Sequence, residues 1–313
     1  MTETTNTTTN DVAADATGSA PAGTGSGEQP GSLMTLPAAT QHAIDTQQRK
    51  NRFLRRRDVL LSILTPIAFL VLWEVAAATG LIDSRVFSAP TLIFQTAIEM
   101  IRDGSLFVHS WATIYRLVVG FIIGAAVGIG MGLLMGLWRP LRAAFGPMFT
   151  ALYALPMIAI LPLLLLVFGL TETPRILAVA ISVFFVLQIN TTAAVIQIDD
   201  GVLEAARSYN ARGWRLFTSV LLPASLPTIL TGMRVAAGMA VTVVTAVEFV
   251  AANEGLGFLI WNSWQLFQPS VMYVGLVAVA ILGAVVTFGL VWLERVVTPW
   301  KYARNKKRKK ING

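Results

Sequence analysis

Residues Asp199 to Pro227 read DDGVLEAARSYNARGWRLFTSVLLPASLP, a charged stretch set between two long apolar runs. Val202, Ala205, Ala206 and Tyr209 follow the i, i+3, i+4, i+7 spacing of one helix face, while Glu204, Arg207, Ser208 and Ala211 lie opposite. The spacing predicts a short amphipathic helix. Asp199, Asp200 and Glu204 lie ahead of or within its first turn and Arg212 beyond its end, the polarity that the helix dipole favours. The pattern alone fits a helix lying on a bilayer surface or one docked on a partner protein.

Outward from this stretch the chain is apolar. Of 313 residues, 55% are hydrophobic and 13% charged, with a mean hydropathy of +0.65, which places the chain among multi-spanning helical membrane proteins. Runs at 59–80, 112–137, 147–170, 174–196, 228–250 and 273–296 are each long enough for the roughly 20 residues that cross hydrocarbon. Six transmembrane helices in an all-α membrane protein are predicted. The chain has no cysteine, which excludes disulfides, thiol catalysis and Cys-based metal sites, and His42 and His109 are too few for a His cluster. No metal site is expected.

The net charge of +7 is concentrated beside the apolar runs, at Arg49, Lys50, Arg52, Arg55, Arg56 and Arg57 and again at Lys301, Arg304, Lys306, Lys307, Arg308, Lys309 and Lys310. That distribution orients a chain on lipid rather than on nucleic acid. With six crossings both termini share one side, and the clusters assign it to the cytoplasm. Arg139, Arg142, Arg207, Arg212 and Arg215 then fall inside, whereas the loop from Ala251 to Met272 has no Lys or Arg and falls outside. The outer loop after the first helix carries Arg85 and Arg102, balanced by Asp83, Glu99 and Asp103. Trp73, Trp111, Trp138, Trp292 and Trp300 lie near run ends, where an indole anchors in the headgroup layer. Residues 1–48 contain no Lys or Arg and no hydrophobic period, so a disordered tail without a secretory signal is expected there.

Within the runs, Gly120, Gly124, Gly128, Gly132 and Gly136 recur every four residues and predict a groove for close helix packing. Pro66 interrupts the first run, and Pro156 and Pro162 the third. Each removes a helical hydrogen bond, leaving open a kink beside a wet path or a kink braced by neighbouring helices. Ionisable residues near the membrane are Glu74, Arg116, Arg234 and Glu248, none clearly at mid-depth, and either Glu74 or Glu248 is a candidate partner for Arg116. Pro156, Pro162 and Glu248 are the candidate residues of a translocation pathway.

The spacing Glu204-Ala205-Ala206, three residues, Asn210, nine residues, Val220-Leu221-Leu222-Pro223 resembles the EAA-x3-G-x9-I-x-L-P motif of the permease subunits of bacterial ABC importers. The stretches YRLVVGFIIGAAVGIGMGLLMG, LPMIAILPLLLLVFGL and EFVAANEGLGFLI are similar to the nitrate, sulfonate and taurine branch of those permeases, and the similarity covers roughly Leu60 to Val297. Asn210 stands where the motif has glycine and Val220 where it has isoleucine. Asparagine is the next residue to glycine in tolerance of a left-handed turn.

The resemblance implies the type I ABC importer permease fold in a bacterial inner membrane, with 1–48 and 301–313 as cytoplasmic tails, a permease domain over 49–300 and a coupling loop over 197–227. Glu204, Ala205, Ala206 and Asn210 would contact a separate ATPase subunit, and Leu222 and Pro223 would mark the return to the fifth membrane helix. It further implies a second permease subunit, making a homodimer, and an extracytoplasmic solute-binding protein. Sulfonates, taurine or nitrate are the substrates of this branch, and pyrimidine precursors of a vitamin stay open.

The chain has no G-x-x-x-x-G-K-[ST] loop, so no catalytic residue or cofactor is assigned to it, and ATP with Mg belongs to the partner ATPase. An ion-coupled secondary transporter would need central ionisable groups or an inverted repeat of broken helices. A membrane-embedded enzyme would need paired carboxylates, a metal set or an activated nucleophile at membrane depth. Neither pattern is convincing in this sequence. AANEGLGFLIWNSWQLFQP, from Ala251 to Pro269, is expected outside as a short helix, a re-entrant gate or a capped loop.

Overall fold

A computed structural model describes residues 38–83 and 86–299, with side chains at Leu54 and from Arg57 onward. The expected tails over 1–37 and 301–313, Arg85, Trp300 and the side chains of Arg49, Lys50, Arg52, Arg55 and Arg56 lie outside the described residues. All regular elements among the described residues are helical. They are α1 (Ala38–Ala78), α2 (Pro90–Arg102), α3 (Ser105–Leu137), α4 (Arg139–Tyr153), α5 (Met157–Phe168), α6 (Glu172–Ile196), α7 (Asp200–Ser208), α8 (Gly213–Leu216), a π-turn (Phe217–Leu221), α9 (Leu222–Ala251), α10 (Leu256–Gln265) and α11 (Pro269–Val297). The contacts divide the chain after Thr65. The first unit is the early part of α1, which begins at Ala38, inside the 1–48 segment expected to lack structure.

In the second unit, the glycine stripe decides how the bundle packs. A Cβ added to Gly120 would lie 2.7 Å from Val179 Cβ, to Gly124 2.3 Å from the Ala180 carbonyl oxygen, to Gly128 2.8 Å from the Phe184 oxygen, to Gly132 2.6 Å from Thr191 Cβ and to Gly136 2.6 Å from Val195 Cβ. The side chains that meet the five glycines in turn, Val179, Val183, Leu187, Thr191 and Val195, likewise step by four along α6. Two helix backbones therefore pack with almost nothing between them, the arrangement that stabilises helix pairs in lipid by van der Waals contact. Leu117, Val179, Val183, Leu187, Ala236 and Val244 continue this core onto α9.

The same contacts give direction. Since Gly120 faces Val179 and Gly136 faces Val195, α3 and α6 run parallel. Gly232 faces Asn190 while Arg175 Nε donates to the Ala251 carbonyl at 2.6 Å, so α9 runs antiparallel to α6. Parallel neighbours require a return between them, and α4 with α5 supplies it.

Among the described residues, five helical spans, Arg57–Ala78, Ser105–Leu137, Glu172–Ile196, Gly213–Ala251 and Pro269–Val297, are long and apolar enough to cross a membrane. The third expected run, 147–170, is not one straight helix: α4 and α5 bend by 98° at their break, and the total reaches six if this pair counts as one span. Leu155 precedes Pro156, which disfavours the helical conformation at Leu155, and Pro156 becomes the N-cap of α5 at φ −61° and ψ 121°. Pro162 lies inside α5 without ending it.

Outside the runs, α2 and α10 pack together on the first turns of α11 through Met100, Leu259 and Val274. Glu74 accepts from the Thr91 N–H at 3.0 Å and its hydroxyl at 2.8 Å, capping the N-terminus of α2. At the start of α3, the Asp103 carboxylate accepts the Ser105 N–H at 2.8 Å, and this backbone hydrogen bond holds it below the usual carboxylate range. Arg234 and Glu294 form an ion pair joining α9 to α11.

Candidate functional site

Helix α7 is a self-contained unit. Asp199 caps it, Oδ1 accepting the Gly201 N–H at 2.8 Å, with Asp200 in the first turn and Arg207 in the last. It ends in a reciprocal pair of backbone bonds, Asn210 N–H to the Arg207 carbonyl at 2.9 Å and Ala211 N–H to the Ala206 carbonyl at 3.0 Å. This closure requires a left-handed residue, and Asn210 takes it at φ 59°.

None of the residues of α7 is buried. Glu204 and Ala205 are exposed, Ala206 is half-buried, and of the apolar face Val202 is 45% and Tyr209 87% exposed. Of the face that the sequence marks as apolar, Val202, Ala205 and Tyr209 are thus left exposed by the described residues.

The connection to α9 is a short turn at 209–212 followed by helix from Gly213. Ala211 is buried, Trp214 and Phe217 lie with ring centroids 5.3 Å apart, and α8 passes into α9 through the π-turn. Leu222 N–H reaches back five residues to the Phe217 carbonyl. That wider turn accommodates Pro223, which has no N–H and whose ring would crowd a normal α-turn. Leu222 and Pro223 open α9, and helix runs without a break from Gly213 to Ala251, behind the four-residue turn at 209–212 that follows α7.

At the break between α4 and α5, a groove of about 320 Å³ is lined by Tyr153, Leu155, Pro156, Ser182, Phe185 and Met239, among others. Pro156 belongs to it; Pro162 and Glu248 do not line it. Its walls come from α4, α5, α6 and α9, so a change in the bend would change its width.

Glu248 lies elsewhere, in a buried charge node at the end of the bundle remote from α7. Arg116 is 3% and Glu248 0% exposed in side chain, with Arg116 Nη1 donating to Glu248 Oε1 at 2.7 Å. The same nitrogen donates to the Glu254 carbonyl at 2.6 Å, while Nε and Nη2 grip Glu172 at 2.6 and 2.9 Å. Arg175 also pairs with Glu172. The Thr113 hydroxyl lies 2.9 Å from Glu248 Oε2 and accepts the Leu256 N–H at 2.8 Å, and Gly257 N–H donates to Glu248 Oε2 at 2.9 Å. His109 Nδ1 accepts the Gly255 N–H at 3.1 Å.

Of the two candidate partners for Arg116, the structure selects Glu248. The node joins α3, α6 and α9 to the loop before α10, and its groups saturate one another, as buried charges must. Gly255 has φ 128°, and a Cβ there would lie 2.4 Å from the Glu248 carboxyl carbon. Sequence reading missed Glu172, Arg175, Thr113 and Glu254. Glu172 precedes the apolar run expected over 174–196 and Arg175 sits at its start, where charges pass for loop residues; their i, i+3 spacing was the available signal.

Comparisons with known proteins agree with this architecture. Residues 110–301 match the family described as binding-protein-dependent transport system inner membrane component. The chain is 30% identical over 267 residues to a putative aliphatic sulfonates transport permease protein, SsuC, of Bacillus subtilis, covering 85% of this chain and 95% of that one. It is 29% identical over 262 residues to the taurine transport system permease protein TauC of Escherichia coli, covering 82% and 95%. Among solved structures it is similar to an inward-facing MetNI methionine ABC transporter chain, with a TM-score of 0.54 at 20% identity, covering 60% of this chain and 94% of that one. This polypeptide therefore belongs to the binding-protein-dependent transport system inner membrane components, as an ABC importer permease subunit similar to sulfonate and taurine permeases.

Proposed function

We propose that this chain forms one half of the membrane path of an ATP-driven importer for small sulfonates such as taurine, with nitrate-like oxyanions as related cargo. The observation that carries the reading is α7: a capped nine-residue helix with no buried residue, joined to α9 through a four-residue turn at 209–212 and a helical segment that starts at Gly213. Glu204, Ala205, Ala206 and Asn210 present this helix to a groove on a separate ATPase subunit, and Leu222 and Pro223 pass its motion into α9. Two copies of the permease, two ATPases that hold ATP and Mg, and an extracytoplasmic solute-binding protein complete the assembly. Both termini, with the basic segments near residue 50 and after residue 300, lie on the ATPase side of the inner membrane.

Closing of the ATPases on ATP displaces α7, and the groove at Pro156 widens toward one side or the other as the α4–α5 bend changes. The cycle is driven only if ATP binds tighter to the outward-open arrangement, because equal affinities shift no equilibrium. The ion-coupled alternative has less support, since Glu248, Arg116, Arg175, Arg234 and Glu294 are all ion-paired. A proton-coupled carrier needs an acid free to exchange its proton.

Co-expression with a candidate ABC ATPase subunit tests the reading. Glu204→Lys should abolish co-purification and ATP-dependent taurine uptake while leaving thermal stability unchanged, since Glu204 is exposed. Uptake at full rate by vesicles holding this chain alone would overturn it.

A further inference from the structure

A pocket of about 300 Å³ lies beside the charge node, lined by Phe107, Trp111, Tyr115, Arg116, Glu172 and Glu254, with Val108 and Ala112 between them. The three aromatic residues occupy successive turns of α3 and are 72%, 61% and 47% exposed. Arg116 forms the floor, yet it offers no free charge, because Glu172, Glu248 and the Glu254 carbonyl already take its donors. His109 accepts a hydrogen bond at Nδ1, which makes its ring neutral with the proton on Nε2. Arg116 and Arg175 pair with the carboxylates of Glu172 and Glu248, while Glu254, exposed and lining the pocket, has no arginine at ion-pair distance among the described residues, leaving one negative charge at an aromatic-walled cavity.

An anion such as a sulfonate would meet exposed carboxylates there; aromatic faces with carboxylates are the chemistry that holds an ammonium group. The position says where the ammonium comes from. At 33 residues α3 is about 50 Å long, well beyond the ~30 Å of hydrocarbon, so its first turns reach the headgroup layer. We propose that this pocket binds the ammonium of an aminophospholipid headgroup, phosphatidylethanolamine, against Phe107, Trp111, Tyr115, Glu172 and Glu254. The bound lipid then rests on the node that fixes the loop before α10.

The test uses the full chain purified from bilayers of equal phosphatidylethanolamine and phosphatidylglycerol, with retained lipids counted by native mass spectrometry. Phosphatidylethanolamine should be retained in preference, and Glu254→Gln and Trp111→Leu should each lower that preference about fivefold or more, whereas Trp111→Phe keeps it. Phe288→Leu, exposed on α11, should change nothing. Equal retention of the two lipids, an unchanged preference in Glu254→Gln, or binding of free ethanolamine without lipid enrichment would overturn the assignment. Lipid counting does not depend on what the chain transports, so its failure is distinct from failure of the importer reading.

Discussion

Asn210 is held at φ 59°, a conformation that costs an L-residue with a bulky or β-branched side chain about 1–2 kcal/mol and a glycine almost nothing. Asn210→Gly should preserve coupled uptake, and Asn210→Val should lower it severalfold by distorting the junction of α7 with the chain returning to α9. Uptake assays on the assembled transporter compare the two. Unchanged uptake in Asn210→Val would separate the turn from coupling.

Arg116 makes the opposite kind of demand. It is buried beside Glu248, and removing it leaves a desolvated carboxylate that Thr113 and Gly257 alone cannot offset. Arg116→Met should therefore destabilise the chain by about 3–5 kcal/mol, read as a lowered midpoint of thermal unfolding in detergent. Gly255→Ala should be similarly damaging, because its Cβ would overlap the Glu248 carboxylate.

At the scale of elements, α3 carries two kinds of glycine, those on the period-four stripe and Gly130 off it. Gly124 lies against the Ala180 carbonyl, whereas a Cβ on Gly130 would meet nothing within 4 Å. Gly124→Leu should force α3 from α6 and lower the unfolding midpoint sharply. Gly130→Ala should be neutral or stabilise by up to about 1 kcal/mol through helix propensity. A common response at both positions would mean that the stripe acts through backbone freedom rather than close approach. The α4–α5 pair is the other element with two readings, and its 98° bend makes it a crossing only because the parallel α3 and α6 need a return between them.

For the whole molecule, the directions of α3, α6 and α9 put α7 and α10 at opposite ends of the bundle. The absence of cysteine makes that arrangement testable without first removing any native thiol. Ser208→Cys and Phe267→Cys, both at exposed positions, should react with a membrane-impermeant maleimide from opposite faces of oriented vesicles, Phe267→Cys from the extracytoplasmic face. Labelling of both from one face would break the six-crossing arrangement.

How much was legible depended on whether a property is local. Five apolar runs, the period-four glycines, the amphipathic pattern of α7 and the asparagine turn all follow from residues within a few positions of one another, where spacing maps directly onto a helix face. Apolar composition alone made the chain a membrane bundle, since hydrocarbon leaves a buried backbone few alternatives to helix. What the tertiary structure decided was long-range: that the glycines meet α6, that the third run bends through 98°, and that Glu248 joins Arg116 while Glu74 turns to Thr91. Thr113 and Glu248 are separated by 135 positions, Arg116 and Glu172 by 56. No periodicity spans such distances, and a buried charge finds its partner only when packing has excluded the water that would otherwise serve every candidate equally.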